Sequence, residues 1–154
     1  MKIIRAAKVY PLKDMYIGVL FKDGTFKKYN LKNLFKVWPI FKELKKESLF
    51  KKVHLEASGA GIVWNNQIDM AAGEVYYYGV AWKDAPLIDA LVMQVINQLR
   101  EERLAQNMTQ AQLAKKSGIR QANIARLENG QTVPTLETLL RITRVLGLTL
   151  KLKK

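Results

Sequence analysis

The side chains best suited to chemistry lie in the stretch Gln121-Ala122-Asn123-Ile124-Ala125-Arg126-Leu127. Gln121 carries an amide and Arg126 a guanidinium, the forks that pair bidentately with adenine and guanine edges in a major groove. Ile124 and Leu127 are three apart and share one helix face, which turns Gln121, Ala122, Ala125 and Arg126 to the opposite side. That outward face has no large apolar group, so its expected chemistry is hydrogen-bonded recognition and not bond making.

Other constellations are weaker. His54 is the single histidine and there is no cysteine, so a histidine-based triad must use His54, and thiolate metal sites are excluded. His54 and Glu56 stand two apart on an expected strand and share a face, as two metal ligands would. Zinc needs two more, and the neighbourhood supplies none, so a half-exposed strand histidine is the plainer reading. Gly59-Ala60-Gly61 lies between expected strands and opens no helix, which makes it a hairpin turn and not a phosphate cradle. No catalytic residue, cofactor or metal is expected.

A recognition face needs a frame, and the flanking residues supply one. Thr109 can cap a helix while Gln112, three residues on, reaches back in a capping box. Leu113 and Ala114 face inward, Gly118 ends the helix, and Ile119 plugs the corner. After the second helix, a loop from Asn129 to Pro134 leads to a helix capped by Thr135. Leu136, Leu139, Leu140, Ile142, Val145 and Leu146 are expected inside it, and Gly147 stops it. Ahead of the pair, Asp84 and Pro86 signal a long amphipathic helix to about Gln106, with Ile88, Leu91, Val92, Val95, Ile96 and Leu99 at helical spacing. The tail Leu148-Thr149-Leu150-Lys151-Leu152-Lys153 alternates as a strand would, and its symmetric partner is its own copy in a second subunit.

The segment from Thr109 to Gly130 resembles the helix-turn-helix of the XRE family, related to the lambdoid phage repressors and to HipB-like antitoxins. The matching residues are Gln110, Ala114, Gly118, Ile124 and Leu127, then the ending Leu127-Glu128-Asn129-Gly130 and the helix start Pro134-Thr135-Leu136-Glu137-Thr138-Leu139. The resemblance implies a lambda-repressor-like, all-α domain over about residues 88–150 that binds double-stranded operator DNA. It puts Gln110 on a phosphate, Gln121, Ala122 and Arg126 against base edges, and Asn129 and Gly130 near the following phosphate. Thr109, Arg120 and Asn123 complete the candidate DNA-contacting set. Arg120 departs from the family, which usually has Ser or Thr capping the recognition helix, and this favours a phosphate contact there.

With 154 residues the chain accommodates two small domains, and its 49% hydrophobic and 25% charged content is that of a folded protein. Lys and Arg number 26 against 13 Asp and Glu, a net charge of +13 that favours polyanions. The excess is spread over both halves, 14 against 7 in residues 1–80 and 12 against 6 in residues 81–154. No apolar run approaches the roughly 18 residues of a membrane span, no signal-peptide core follows Met1, and the lack of cysteine suits a reducing cytosol.

In the first half, residues 3–10, 15–21 and 25–30 read as a β-meander, with an Asp23-Gly24 hairpin between the last two strands. Leu34, Phe35, Trp38, Pro39, Ile40 and Phe41 are too densely apolar to be solvated and are expected to cover the sheet. A short helix follows within 43–50, then strands at 53–57, 62–64 and 68–70; Tyr76-Tyr77-Tyr78 is expected to pack near the domain join. Phe21-Lys22-Asp23-Gly24, Tyr29-Asn30-Leu31, Leu49-Phe50-Lys51-Lys52-Val53 and Ile62-Val63-Trp64 with Ile68-Asp69 resemble the motifs of a small bacterial domain of unknown function, over about residues 1–78. Genes for that domain often lie beside genes for small toxins, so the resemblance implies a cognate toxin as partner.

These readings predict an α+β protein. Residues 1–80 form a small α+β domain containing a β-meander, and residues 84–154 form the all-α helix-turn-helix domain with a C-terminal dimerisation strand. The expected function is that of a cytoplasmic, homodimeric, non-enzymatic transcriptional repressor, the antitoxin of a toxin–antitoxin pair that controls its own operon. The alternative is a regulator whose first domain senses a partner or ligand unrelated to any toxin. One feature opposes the antitoxin reading: small ribonuclease toxins tend to be basic, as both halves of this chain are.

Overall fold

A computed structural model describes residues 3–152 and separates the chain into two compact units, Met1–Ala90 and Leu91–Lys154. In the first unit, β1 (Ala6–Pro11), β2 (Tyr16–Phe21) and β3 (Phe26–Asn30) form the expected antiparallel meander. The hairpin between β2 and β3 loops through Lys22, Asp23 and Gly24. The Phe21 and Thr25 backbones close it, Asp23 Oδ1 accepts from the Thr25 N–H at 2.9 Å, and Gly24 takes the left-handed conformation at φ 86°.

β2 is an interior strand buried on both sides, which its run Ile17-Gly18-Val19-Leu20-Phe21 allows. On one side Ile17, Val19 and Phe21 join Tyr29, Leu31, Phe41, Leu44, Ile62, Trp64 and Ile68 in the core. Gly18, on the other, lies under Trp82, and a Cβ there would come within 2.3 Å of the indole. Trp82 is held edge-on by Tyr10 and Phe26, with ring centroids 5.4 and 5.8 Å away.

The chain after β3 covers the core through two 3-10 segments, Leu31–Leu34 and Pro39–Lys45, rather than through regular helix. Phe41 and Leu44 are buried, and Leu34, Phe35 and Ile40 pack on the core. Trp38 and Pro39, expected to be covered, are exposed, Trp38 by 60%, because the chain entering the second segment turns them outward. Short α1 (Glu47–Phe50) leads to a second antiparallel sheet of β4 (His54–Leu55), β5 (Gly61–Val63) and β6 (Asp69–Ala71), in that order. Its hairpin tip touches the first sheet: the Ala6 N–H donates to the Gly59 carbonyl at 2.7 Å. Gly59 has φ 76°, and a Cβ on it would stand 2.4 Å from the Ala6 carbonyl oxygen, so glycine is required there on two counts.

Two elements of this unit are not apparent in the sequence. Residues 72–78 form α2 (Ala72–Tyr78), and β7 (Val80–Ala81) then adds to β3, completing the order β1-β2-β3-β7. In α2 only part of the tyrosine block packs as expected. Tyr76 sits edge-on to Phe21 and bonds to Asp23 at 2.8 Å, whereas Tyr77 and Tyr78 are 60% and 72% exposed. The unit closes with Asp89, whose carboxylate pairs with Lys8 at 2.7 Å and accepts from the Tyr10 hydroxyl.

The second unit is built from α3 (Leu87–Ala105), which begins in the first, then α4 (Gln110–Ser117), α5 (Gln121–Glu128) and α6 (Leu136–Leu146). On α3 the buried positions are Ala90, Met93, Ile96, Leu99 and Arg103. This face is rotated from the expected stripe, so Ile88 and Leu91 are 68% and 48% exposed. On α6, Ile142 and Leu146 are buried, but Leu136 and Leu140, expected inside, are 67% and 50% exposed. Among the described residues no helix is long and apolar enough to cross a membrane.

The expected C-terminal strand is not formed over residues 148–152, and Lys153 lies outside the described residues. Gly147 ends α6 at φ 71°, and the Leu148 N–H closes the turn on the Thr143 carbonyl at 2.8 Å. Residues 148–152 then run without a ladder, since among the described residues no strand of the second unit offers an edge to pair with. Leu148 and Leu150 instead line a hollow with Val95 and Leu99 of α3, while Leu152 is fully exposed.

Candidate nucleic-acid interface

The start of α4 follows its sequence signals closely. Thr109 Oγ1 accepts from the Gln112 N–H at 3.1 Å, and Gln112 Oε1 accepts from the Thr109 N–H at 2.8 Å, the reciprocal capping box. Gly118, at φ 70°, ends α4, and both its N–H and that of Ile119 close on the Ala114 carbonyl, at 3.0 and 3.2 Å. The chain can thus turn within three residues and launch α5 across α4. Ile124 and Leu127 of α5 are buried, each contributing about 1.5–3 kcal/mol of apolar burial that fixes which face turns outward.

What locks these helices is a buried ion pair. Arg103 Nε donates to Glu128 Oε1 at 2.6 Å and Nη2 to Oε2 at 2.8 Å, while Nη1 donates to the Met108 carbonyl at 2.6 Å. Gln110 Nε2 donates to Glu128 Oε2 at 2.8 Å. The two charged side chains are only 6% and 5% exposed, so the polar atoms they bury are answered within the protein. Hydrogen bonding to Glu128, aided by its charge and opposed by burial, raises the Arg103 pKa above its ordinary value. One carboxylate therefore ties the end of α3, the start of α4 and the end of α5 together. The pair was hidden in the sequence by its residue types. Its signal was positional: Arg103 follows Leu99 by four on the buried face of α3, and Glu128 adjoins the buried Leu127.

Of the candidate residues, Thr109, Arg120, Gln121, Ala122, Asn123 and Arg126 are exposed. Gln110 and Asn129 are half-buried, and Gly130 is buried. With one amide hydrogen of Gln110 committed to Glu128, its second remains for an outside acceptor. The N–H of Gly130 is used within the fold, closing α5 on the Leu127 carbonyl at 2.9 Å, and the Gln131 N–H closes on Arg126 at 2.9 Å. Arg120 occupies the N-cap of α5 with extended backbone and no side-chain cap bond. The first amides of α5, on Gln121 and Ala122, thus have no capping side chain, and the positive end of the helix dipole faces an exposed arginine. Such an N-terminus suits an anion.

The His54 and Glu56 side chains have separate engagements: the exposed His54 has Nδ1 2.9 Å from the Lys52 carbonyl, and Glu56 accepts from Ser58. Among the described residues no group of three or more His, Asp or Glu side chains is gathered as metal ligands would be.

Two short helices crossing at a glycine turn, with a buried pair on one face of the second and polar forks on the other, define a helix-turn-helix. Residues 99–152 match the family model described as helix-turn-helix, and residues 6–81 match that of a protein of unknown function (DUF2442). The chain joins a DUF2442 domain to an XRE-type helix-turn-helix domain. A relative in Haemophilus influenzae, described as an uncharacterized HTH-type transcriptional regulator, is 44% identical over 62 residues. The match covers 40% of this chain and 63% of that relative. A crystal structure of a candidate DNA-binding protein from Nitrosomonas europaea is similar over 90% of this chain and 83% of its own, at 13% identity. The TM-score of that match is 0.41.

Proposed function

We propose that this protein is a sequence-specific DNA-binding transcriptional repressor, and that it is the antitoxin of a toxin–antitoxin pair. The observation that carries the DNA reading is the surface of α5. Gln121, Ala122 and Arg126 stand exposed on a helix whose Ile124 and Leu127 are buried, and its uncapped start is flanked by Arg120. In this reading α5 enters the major groove, Gln121 and Arg126 pair with base edges, and Ala122 lets the helix approach. Thr109, Gln110, Arg120 and Asn129 hold phosphates, while Asn123 and Gly130 set the approach of the helix and its following loop. A net charge of +13 supports the association and makes it steeply salt-dependent.

The antitoxin role assigns the first domain to partner capture. A second copy completes the repressor through the unpaired tail, so that two half-sites are read together. The product of the gene beside this one is the partner to test. Co-expression with the full-length protein should give a complex that binds the shared promoter with altered affinity. A neighbour that is not a toxin, or that does not bind, refutes the antitoxin role and leaves the DNA reading to its own titration.

A further inference from the structure

The first unit holds a cleft of about 670 Å³ whose apolar side includes Leu34, Trp38, Phe41 and Met70 and whose polar side includes Asp69 and Glu74. Its charge is the reverse of the chain's. Lys and Arg outnumber Asp and Glu by 26 to 13 overall, yet the cleft is lined by two carboxylates and by no Lys or Arg. Glu74 Oε1 accepts from the Tyr29 hydroxyl at 2.9 Å, and among the described residues neither Glu74 nor Asp69 forms an ion pair. An exposed indole beside uncompensated carboxylates suits an occupant with both apolar and cationic groups.

The backbone beside the cleft narrows the choice. β6 is an outer strand of its sheet, and Asp69, Met70 and Ala71 all line the cleft. The Trp64 N–H bonds to the Ile68 carbonyl at 3.0 Å and the Ala72 N–H to the Ala60 carbonyl at 2.7 Å. By antiparallel alternation, Met70 then exchanges its bonds with Ile62, while Asp69 and Ala71 turn their N–H groups away from β5. An open strand edge beside an apolar hollow is the arrangement that accepts an added strand, with main-chain bonds for affinity and the hollow for alternate side chains. The β3 edge of the meander offers less, because β7 already covers it.

We propose that this cleft is a peptide-docking site. An extended segment of a partner protein adds to the free edge of β6, placing an apolar side chain among Leu34, Trp38, Phe41 and Met70 and a lysine or arginine against Asp69 and Glu74. This rests on reading the first domain as partner-binding, and it also answers the charge objection: a basic partner meets a locally acidic surface on a basic protein.

A blocked, fluorescein-labelled Leu-Lys-Leu-Lys-Leu peptide titrated with the full-length protein tests the site. Saturable binding is expected, weakened about tenfold or more by Asp69→Asn with Glu74→Gln, and abolished when alternate peptide nitrogens are methylated. Asp69→Asn alone, at an exposed position, guards against misfolding and should weaken binding in part. No saturable binding, equal binding by the double variant, or unchanged binding of the methylated peptide overturns the proposal. So does full displacement by hexylammonium, which marks a small-cation site. Co-purification with the neighbouring gene's product separates this from the broader reading. A neighbour held equally by wild type and double variant retains partner capture and removes it from this cleft. Peptide binding with no neighbour binding retains the cleft and removes the toxin.

Discussion

Arg103 grips Glu128 through both carboxylate oxygens, at 2.6 and 2.8 Å, with the pair almost wholly buried. Removing Glu128 strands the Arg103 charge and an N–H of the Gln110 amide, and removing Arg103 strands the Glu128 charge and the Met108 carbonyl. Glu128→Ala should cost about 3–5 kcal/mol of stability in the second unit. Glu128→Gln, which keeps an acceptor, should cost less. Urea unfolding followed by circular dichroism gives the order, and equal, small losses would mean that the pair is not closed in solution.

Gln121→Ala and Arg126→Ala are each expected to weaken binding to the true operator by roughly 1–3 kcal/mol while changing affinity for random DNA little. Titrations of both DNAs in one buffer measure the difference. Equal losses on the two would assign these side chains to phosphates.

Deleting residues 148–154 should leave a monomer that binds half-sites singly and weakly, since two half-sites about 34 Å apart are read together only by a linked pair. Leu152 is fully exposed and residues 148–152 form no ladder, which is what motivates the test. Sedimentation of the truncated protein as a dimer would place the contact elsewhere.

Asp89 supplies a pH dependence. Burial raises its pKa, but the Lys8 and Tyr10 hydrogen bonds and the Lys8 charge outweigh that, and the net shift is downward. A carboxyl depressed by folding stabilises the fold at pH above its unfolded value, near 3.9, and that contribution fades as pH falls through the lower folded value. Asp89→Asn should therefore be less stable at neutral pH, with a flatter acid limb. Unfolding midpoints between about pH 2 and 6 compare the two. Tyr10, raised by burial and then by Asp89, stays protonated throughout this window.

The sequence disclosed the second unit well because its signals are local. The Thr109 capping box, the Gly118 and Gly147 stops and the Ile124 and Leu127 spacing each act within a few residues, and each appears in the structure. What it concealed depends on distant partners. β7 is two residues long and exists only because β3 presents an edge to it, and Leu136 and Leu140 look like core until the neighbours that do not cover them are known. The tail shows the same limit in reverse, since alternation specifies a strand only where something pairs with it.

The bond between Ala6 and Gly59 bears on the order in which the first unit forms during synthesis. Strands β1 to β3 can pair as soon as they emerge, yet the β1 backbone awaits a residue 53 positions later and the β3 edge waits for Val80. Closures of such long sequence separation come late and slowly. A nascent chain stalled before residue 59 would thus display a meander with both outer edges bare. In that interval the bare edges of the meander are open to pairing with the wrong strand.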